Sequence, residues 1–333
     1  MPSLKSWNTL GVECEADVLH EAHQLDDLKQ AFQEGGRDLL LLGAGSNVVL
    51  PRRYAGHVCA LRIRGFECEE VGGASAVVTA MAGESWHAVV RRTLGSGWCG
   101  LENLALIPGT VGAAPLQNIG AYGVELADRM KSVLVYDARD ETVSELGIEE
   151  CAFTYRSSRF KEMPDPAIVI LGVRLLVSRA ALIVDQYPDV RRELTRLGTQ
   201  GRASARAVAE AVMRVRRRKL PDPRRIGNVG SFFKNPVVSQ TKAAELLSCE
   251  HLVAHAGVGG CKLSAAQLID LCGWKGSRRA GVGVWQRQPL VLVNLGGAHG
   301  ADFLDMAARI RRSVEERFGV TLELEPRIVE PLE

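Results

Sequence analysis

The chain has 333 residues, with 41 basic against 39 acidic side chains, an apolar fraction of 46% and an aromatic fraction of 5%. That length accommodates two or three domains of ordinary globular composition. The near-neutral balance excludes a general polyanion binder and leaves room for a local basic site only. No charged leader with an apolar run behind it opens the chain, and no stretch of about 18 apolar residues occurs, so neither export nor membrane insertion is expected.

Taken in chain order, residues 20–35 read as a helix, with Leu25, Leu28 and Phe32 near helical spacing and Gly35 as a stop. "RDLLLLGAGSNVVL" reads as a buried strand entering a glycine-rich turn. From 57 to 82, "HVCALRIRGF" and "SAVVTAMAG" are short strands separated by glycines. "SWHAVVRRTLGSG" is a short helix with Ser85 as its N-cap candidate. Residues 100–125 are loop, and "KSVLVYDARDETVSEL" is a hairpin turning near Asp137–Asp140. "AIVILGVRLLV" is a further strand. Residues 203–218 form a helix with Val208, Ala211, Val212 and Val215 on one face, and "LPDPRR" behind it marks a domain boundary. A helix near 263–273, a strand at 288–294 and an amphipathic helix at 301–318 with Gly319 as stop follow. The helix at 301–318 carries Phe303, Met306, Ala307, Ile310 and Val314, and a strand over "TLELEPRIV" ends the chain. Strands and helices intermix without strict alternation, which favours α+β over a doubly wound fold.

The eight cysteines, at 14, 59, 68, 99, 151, 249, 261 and 272, form no Cys-x-x-Cys and stand at no ligand spacing from a histidine. No metal site is therefore expected, and the thiols read as reduced, in a cytoplasmic protein. Two glycine-rich segments carry more chemistry. "GAGSN" at 43–47 follows a strand, where a turn aims several N–H groups at one point and suits a phosphate oxygen; a plain strand-to-loop turn accounts for it as well. It matches neither the P-loop nor the Rossmann fingerprint. "LIPGTVGAAPLQNIGAYGVE" at 106–125 is too dense in Gly and Pro for a regular element, yet holds apolar Ile107, Val111, Leu116 and Ile119. It is either a packed structural loop or one shaped around a ligand.

Five strings occur in order: "GAGSNVV" at 43–49, "ENLALIPGTVGAAPLQNIGAYGVE" at 102–125, "FTYRSSRFK" at 153–161, "RRKLPDPRRIGNVGSFFKNPVV" at 217–238 and "EPRIV" at 325–329. Together they resemble the UDP-N-acetylenolpyruvoylglucosamine reductases, in the longer type with a tyrosine loop, over nearly the whole chain. The resemblance implies a three-domain α+β flavoprotein: a two-part FAD-binding region of the vanillyl-alcohol-oxidase (PCMH-like) kind and a C-terminal α/β substrate-binding domain. Residues 1–66 with the C-terminal strand 322–333 would form the first part, 67–218 the second and 219–321 the substrate domain.

It also implies the chemistry. NADPH reduces FAD, and hydride passes from flavin N5 to the vinyl carbon of the enolpyruvyl ether of UDP-N-acetylglucosamine, giving UDP-N-acetylmuramate for peptidoglycan. Arg156 matches the family's catalytic arginine, a fork-shaped cation suited to a carboxylate gaining charge. Ser231 matches the proton donor, and Glu325 the catalytic glutamate. A carboxylate beside a developing oxyanion must be protonated or hydrogen-bonded, so a raised pKa is expected for Glu325. Glu323 is a rival for that role, and Pro326, where many relatives have Val, removes an N–H from the strand. Lys234 is a candidate to relay a replacement proton to Ser231.

FAD contacts are implied at Gly43, Gly45, Ser46 and Asn47, and at Pro108, Gly109, Thr110, Gly112, Gln117, Asn118, Gly120, Ala121, Tyr122 and Gly123. Substrate contacts are implied at Tyr155, at Arg214 and Lys219 near the phosphates, at Asn235 and Gln288 for uridine, and at Lys262 and Lys275 for the diphosphate. The run 214–219 reads equally as a solvated helix end with cations at its negative dipole terminus. Tyr187, in "DQYPDVRREL", would clamp the diphosphate. The partner is a small sugar nucleotide, with no nucleic acid, and a monomer is expected. Another flavin oxidoreductase on the same scaffold is the alternative, and a non-catalytic nucleotide-binding protein a third reading.

Overall fold

The computed structural model describes residues 1–180, 183–199, 203–249, 252–257 and 259–332. They fall into two compact units, one formed by residues 1–15, 45–55 and 218–333, the other by residues 16–44 and 56–217. The break at 217/218 lies just ahead of "LPDPRR".

The second unit is built on a five-stranded antiparallel sheet in the order Thr142–Gly147, Met130–Asp137, Ile168–Ser178, Ser75–Met81, Phe66–Gly72. Its central strand, Ile168–Ser178, is buried along most of its length, as expected for a strand covered on both faces. Helices Trp86–Gly95 and Ala205–Lys219 lay Val89, Val90, Val208 and Val212 into that core. Burying each such side chain contributes roughly 1.5–3 kcal/mol. Beside it, Leu40–Leu42 runs parallel to Val58–Ala60 in a three-stranded sheet completed by Glu15–Ala22.

The first unit carries a four-stranded antiparallel sheet in the order Asn228–Ser231, Val291–Asn294, Val282–Val284, Arg278–Arg279, and a three-stranded one of Val237–Val238, Gly260–Leu263 and Ala254–Gly257. Helix Gly300–Phe318 buries Phe303, Met306, Ala307, Ile310 and Val314, the stripe its sequence spacing predicts. It ends at Gly319 in the left-handed region (φ 61°), whose N–H donates to Glu315 O. Arg327–Ile328 pairs in parallel with Val48–Val49. Parallel and antiparallel pairs, unalternated with helices, make the architecture α+β.

Several expectations needed revision. The helix expected over 20–35 begins only at Leu25, because 15–22 alternates well enough to form a strand, and a reciprocal Gln24–Asp27 cap starts the helix after it. Ser85 occupies the N-cap, but its hydroxyl makes no cap; the amide of Trp86 donates instead to Gly109 O (3.1 Å). The terminal strand contracts to Arg327–Ile328 plus a bridge between Leu324 and Phe233. Helices Pro188–Arg196 and Gln240–Cys249 had no counterpart in the sequence reading.

Candidate active site

In the second unit the loop 106–125 is pinned by its own backbone. Val111 N donates to Glu84 O (2.9 Å), Gly112 N to Ala82 O (3.0 Å) and Leu126 N to Ile119 O (2.8 Å). Gly120–Ala121 and Val124–Glu125 form a small hairpin around Tyr122-Gly123. The glycine-rich turn reaches the same loop: a Cβ on Gly43 would lie 2.3 Å from Thr110 Oγ1, so any side chain there would force Thr110 to shift. Thr110 Oγ1 is buried and has no hydrogen-bond partner among the described residues. A buried hydroxyl without a partner costs about 1–3 kcal/mol, so such a group calls for an explanation.

Backbone strain gathers around this loop. Leu106, Asn118, Tyr122 and Arg156 adopt positive φ (61°, 42°, 51° and 57°) although none is glycine. Such conformations cost about 1–3 kcal/mol each and persist only where the surroundings over-determine them. The surroundings here are polar. Asn118, fully buried, donates to Glu125 Oε2 (2.8 Å) and Thr154 O (3.1 Å) and accepts from Ala127 N (3.0 Å). Its side chain is thus engaged in holding the loop.

Arg156 stands at the third position of a tight turn closed by Thr154 and Ser157, whose amides donate to each other's carbonyls (3.0 and 3.1 Å). Positive φ at that position ordinarily calls for Gly or Asn. The Arg156 guanidinium donates to Gly120 O (2.7 Å) and Asn118 O (3.4 Å) and lies 5.3 Å from the Tyr155 ring. A Cβ on Gly120 would come within 2.9 Å of Arg156 Nη1. Ser158 Oγ donates to Leu116 O (2.8 Å), tying the Arg156 string to the glycine-rich loop.

Arg216, which the sequence reading did not single out, completes this cluster. Its Nε donates to Leu106 O (3.2 Å) and its side chain bonds Tyr122. Burial pushes its guanidinium below the ordinary value; Tyr122 opposes that shift and Arg156 adds to it. The available signal was helical phase, since Arg216 lies one turn beyond buried Val212. Arg214 faces outward to Glu210 (2.7 Å) and Glu193 (4.0 Å). Tyr187 precedes helix Pro188–Arg196, half exposed, its ring edge-on to Tyr122 at 5.2 Å. Burial, then Asp189 and Tyr155, raise its phenol pKa. Gln117 and Ala121 are half-buried in the loop, and Pro108 and Gly123 are exposed.

In the first unit Ser231 ends strand Asn228–Ser231, opposite Val291. The register shifts between Asn228 and Ser231, with Gly230 at φ 73°. Phe232 and Phe233 are fully buried, and Phe232 stacks on Phe303 at 6.3 Å. Phe232 N donates to Leu290 O (2.7 Å), and Phe232 O accepts from Glu325 N (3.1 Å). The segment bearing Ser231 is therefore held from one side by 290–291 and from the other by 323–325.

Glu325 is half-buried. Glu323 is exposed and paired with Lys234 (2.9 Å). The amides flanking Pro326 are both used, Glu325 N on Phe232 O and Arg327 N on Asn47 O (3.0 Å), so proline leaves the pairing around it intact. Asn47 Nδ2 donates to Glu325 O (3.4 Å). Ser46 is half-buried beside it, and Gly45 packs against the Trp7 carbonyl, which a Cβ would meet at 2.1 Å.

Gln288 has a buried Oε1 with no partner among the described residues. Asn235 Oδ1 accepts from Ala265 N (3.0 Å), Lys275 is paired with Asp270 (2.9 Å), and Lys262 is half-buried opposite Val237. Lys219 O accepts from Trp285 Nε1 (3.0 Å).

Comparison with known proteins adds family evidence. Residues 222–329 match the family profile described as UDP-N-acetylenolpyruvoylglucosamine reductase, C-terminal domain, and residues 18–147 match that of an FAD binding domain. The chain is 47% identical to the UDP-N-acetylenolpyruvoylglucosamine reductase of Bordetella pertussis over 98% of its length and 93% of the relative's. Against that of Pseudomonas aeruginosa it is 45% identical, over 98% and 97%. The crystal structure of the Thermus caldophilus enzyme of that name superposes with a TM-score of 0.68 at 26% identity, covering 98% of this chain and 97% of that one.

Proposed function

The chain belongs to the UDP-N-acetylenolpyruvoylglucosamine reductase family, and from that premise we propose that it reduces the enolpyruvyl ether of UDP-N-acetylglucosamine to UDP-N-acetylmuramate for peptidoglycan, using FAD and NADPH. The observation that carries this reading is the strained Arg156 turn, built on the glycine-rich loop of a chain alike to named reductases over nearly its whole length.

The residues present fit FAD. Gly43 against Thr110 brings both glycine-rich segments to one spot, and Thr110 Oγ1 lacks a partner that a flavin or diphosphate oxygen would supply. Gly43, Gly45, Ser46 and Asn47 would hold the diphosphate. Pro108, Gly109, Thr110, Gly112, Gln117, Asn118, Gly120, Ala121, Tyr122 and Gly123 would hold the cofactor's remaining parts. When bound and reduced by NADPH, FAD supplies the hydride that adds to the vinyl carbon.

The chain's own residues do the rest. Arg156, permanently charged, binds the substrate carboxylate and stabilises the charge that spreads onto it. Arg216, held half-buried near another guanidinium, raises the local potential for an anion. Ser231 Oγ–H gives its proton to the carbon beside the carboxylate; a serine serves because the acceptor is strongly basic and correct positioning supplies much of the rate. Glu325, protonated or hydrogen-bonded to a donor, shields the developing charge. Gln288, with an orphaned carbonyl oxygen, and Asn235 would meet uridine; Lys219, Lys262, Lys275 and Arg214 would meet phosphates. Tyr155 would orient the site, and Tyr187, already edge-on to Tyr122, would close over the diphosphate.

We assign 1–66 with 322–333, 67–218 and 219–321 as the three functional segments. The pairing of Arg327–Ile328 with Val48–Val49 supports joining the C-terminal strand to the first. A cytoplasmic monomer completes the reading; no helix among the described residues is long and apolar enough to cross a membrane. The test is spectroscopic. Purified protein should be yellow, bleach with NADPH under anaerobic conditions, and regain colour with the enolpyruvyl substrate but not with UDP-N-acetylglucosamine. Flavin that stays oxidised with NADPH sinks the proposal.

A further inference from the structure

Outside the site described above, the fold brings together three side chains that no sequence motif links. His20 lies on strand Glu15–Ala22, His57 on the neighbouring strand Arg53–Leu61, and Glu34 at the end of helix Leu25–Gly35. His20 Nε2 is 3.0 Å from His57 Nδ1 and 3.8 Å from Glu34 Oε2, and one donor atom from each residue lies within 4.8 Å of the others. We propose that His20, Glu34 and His57 form a binding site for a divalent transition-metal ion of the zinc type, with solvent completing its coordination.

Geometry favours an ion. Two ligands each about 2.1 Å from one zinc at a tetrahedral angle stand about 3.4 Å apart. The observed 3.0 and 3.8 Å bracket that value, and the third pair of donors lies within 4.8 Å. Two imidazoles and one carboxylate form a donor set typical of zinc, cobalt and nickel and poorly suited to calcium or magnesium, which take oxygen.

The hydrogen-bond arithmetic points the same way. His20 Nε2 carries at most one proton, so it can serve His57 or Glu34 but not both. A cation serves all three groups at once.

The carboxylate is also oriented. Gln30 Nε2 donates to Glu34 Oε1 (2.8 Å), leaving Oε2 toward the histidines. Outer partners of this kind hold metal ligands in place. The helix end sits close to the strands because residue 35 is glycine: a Cβ there would lie 2.8 Å from His57 Cβ. His20 and His57 are half-buried while Glu34 is exposed, so an ion has a solvent route in.

The site is tested on full-length, FAD-loaded protein stripped with a chelator and titrated with zinc(II), then with cobalt(II) as a coloured probe. One zinc per chain is expected, with cobalt d–d bands and no thiolate charge-transfer band. His20→Gln and His57→Gln should each abolish this uptake, and Glu34→Gln should weaken it at least about tenfold. Retained flavin and unchanged bleaching by NADPH show that the variants are folded. Because Glu34 is exposed, its variant keeps the test open even where a histidine variant is unstable. No uptake by the wild type overturns the proposal. So does equal uptake by the His20→Gln/His57→Gln double variant, or by Glu34→Gln. A thiolate band would assign the metal to cysteines instead.

Discussion

Ser231→Ala separates the proton-donor role from every structural role the serine could have. The backbone at 231 is fixed by pairing with Val291 on one side, and Phe232 next to it exchanges bonds with Leu290 and Glu325. Among the described residues no side-chain hydrogen bond of Ser231 contributes to that framework, and its side chain is only half-buried. Alanine should therefore change stability by no more than about 0.5 kcal/mol, the usual range for a surface exchange. Loss of a general acid costs about 10²–10⁴ in rate, or roughly 2.7–5.4 kcal/mol at 1.36 kcal/mol per decade. Anaerobic stopped-flow absorbance measures the two half-reactions apart. Bleaching by NADPH should match the wild type, while reoxidation by the enolpyruvyl substrate should slow by two to four decades. Equal slowing of both, or reoxidation within about threefold of wild type, refutes the assignment.

Gly43→Ala drives a methyl to 2.3 Å from Thr110 Oγ1, an overpacking worth about 1–3 kcal/mol, and should yield protein with a lowered flavin-to-protein ratio; full flavin content would contradict the cofactor assignment. Arg156→Gly relieves an unfavourable φ of 57° but also removes the guanidinium's bonds to Gly120 O and Asn118 O, each worth about 1.5–3 kcal/mol, so substrate reduction should fall at least about 100-fold and the midpoint in urea should fall with it. Phe303→Ala empties a fully buried position beside Phe232 and should cost about 3–5 kcal/mol by chemical denaturation; a loss below 1 kcal/mol would mean that the core is not packed as described. His87 is held neutral, its pKa lowered from 6.5 by burial, then by Arg91, Arg217 and Arg216, and its Nδ1 accepts from Leu106 N (3.0 Å). The unfolded chain then binds more protons than the folded one between that lowered value and 6.5. The stability contributed by His87 is therefore fully present above 6.5 and lost as pH falls through the folded value. Melting against pH should show that decline, and His87→Gln should flatten it.

What the sequence made legible depended on how locally each feature is encoded. Helix Gly300–Phe318 could be read in full because its apolar stripe and its glycine stop are both local signals. The strand Glu15–Ala22 could not, since its periodicity fades into that of the helix next to it and only pairing with Arg53–Leu61 decides between them. The terminal strand was overestimated because β-forming residues at 321–326 find one bridge rather than a ladder. Arg156, Ser231 and Glu325 are proposed through motif likeness, which neither periodicity nor composition supplies. Arg216 was passed over, because a run of arginines at a helix end reads as solvated, and only the helical phase set by Val212 marks which one the helix turns inward. The meeting of Gly43 with Thr110 and the gathering of His20, Glu34 and His57 are tertiary facts that no spacing rule carries.

The polar groups around the glycine-rich loop do two things at once, and this explains why so strained a segment can exist. Leu106 keeps its positive φ while its amide donates to His87 and its carbonyl accepts from Arg216. Tyr122 keeps its own through Arg216, and Arg156 spans from its strained turn to Gly120 and Asn118. The strain of these residues is thus offset by hydrogen bonds to charged groups, each worth about 1.5–3 kcal/mol. Those guanidiniums are themselves costly to desolvate, and their proximity depresses the Arg216 pKa further. A loop selected for stability alone would have used glycine at the positive-φ positions and apolar side chains behind them. The arrangement found here holds its cations in a state that an incoming anion improves, so binding free energy can be drawn from relief of repulsion as well as from new contacts.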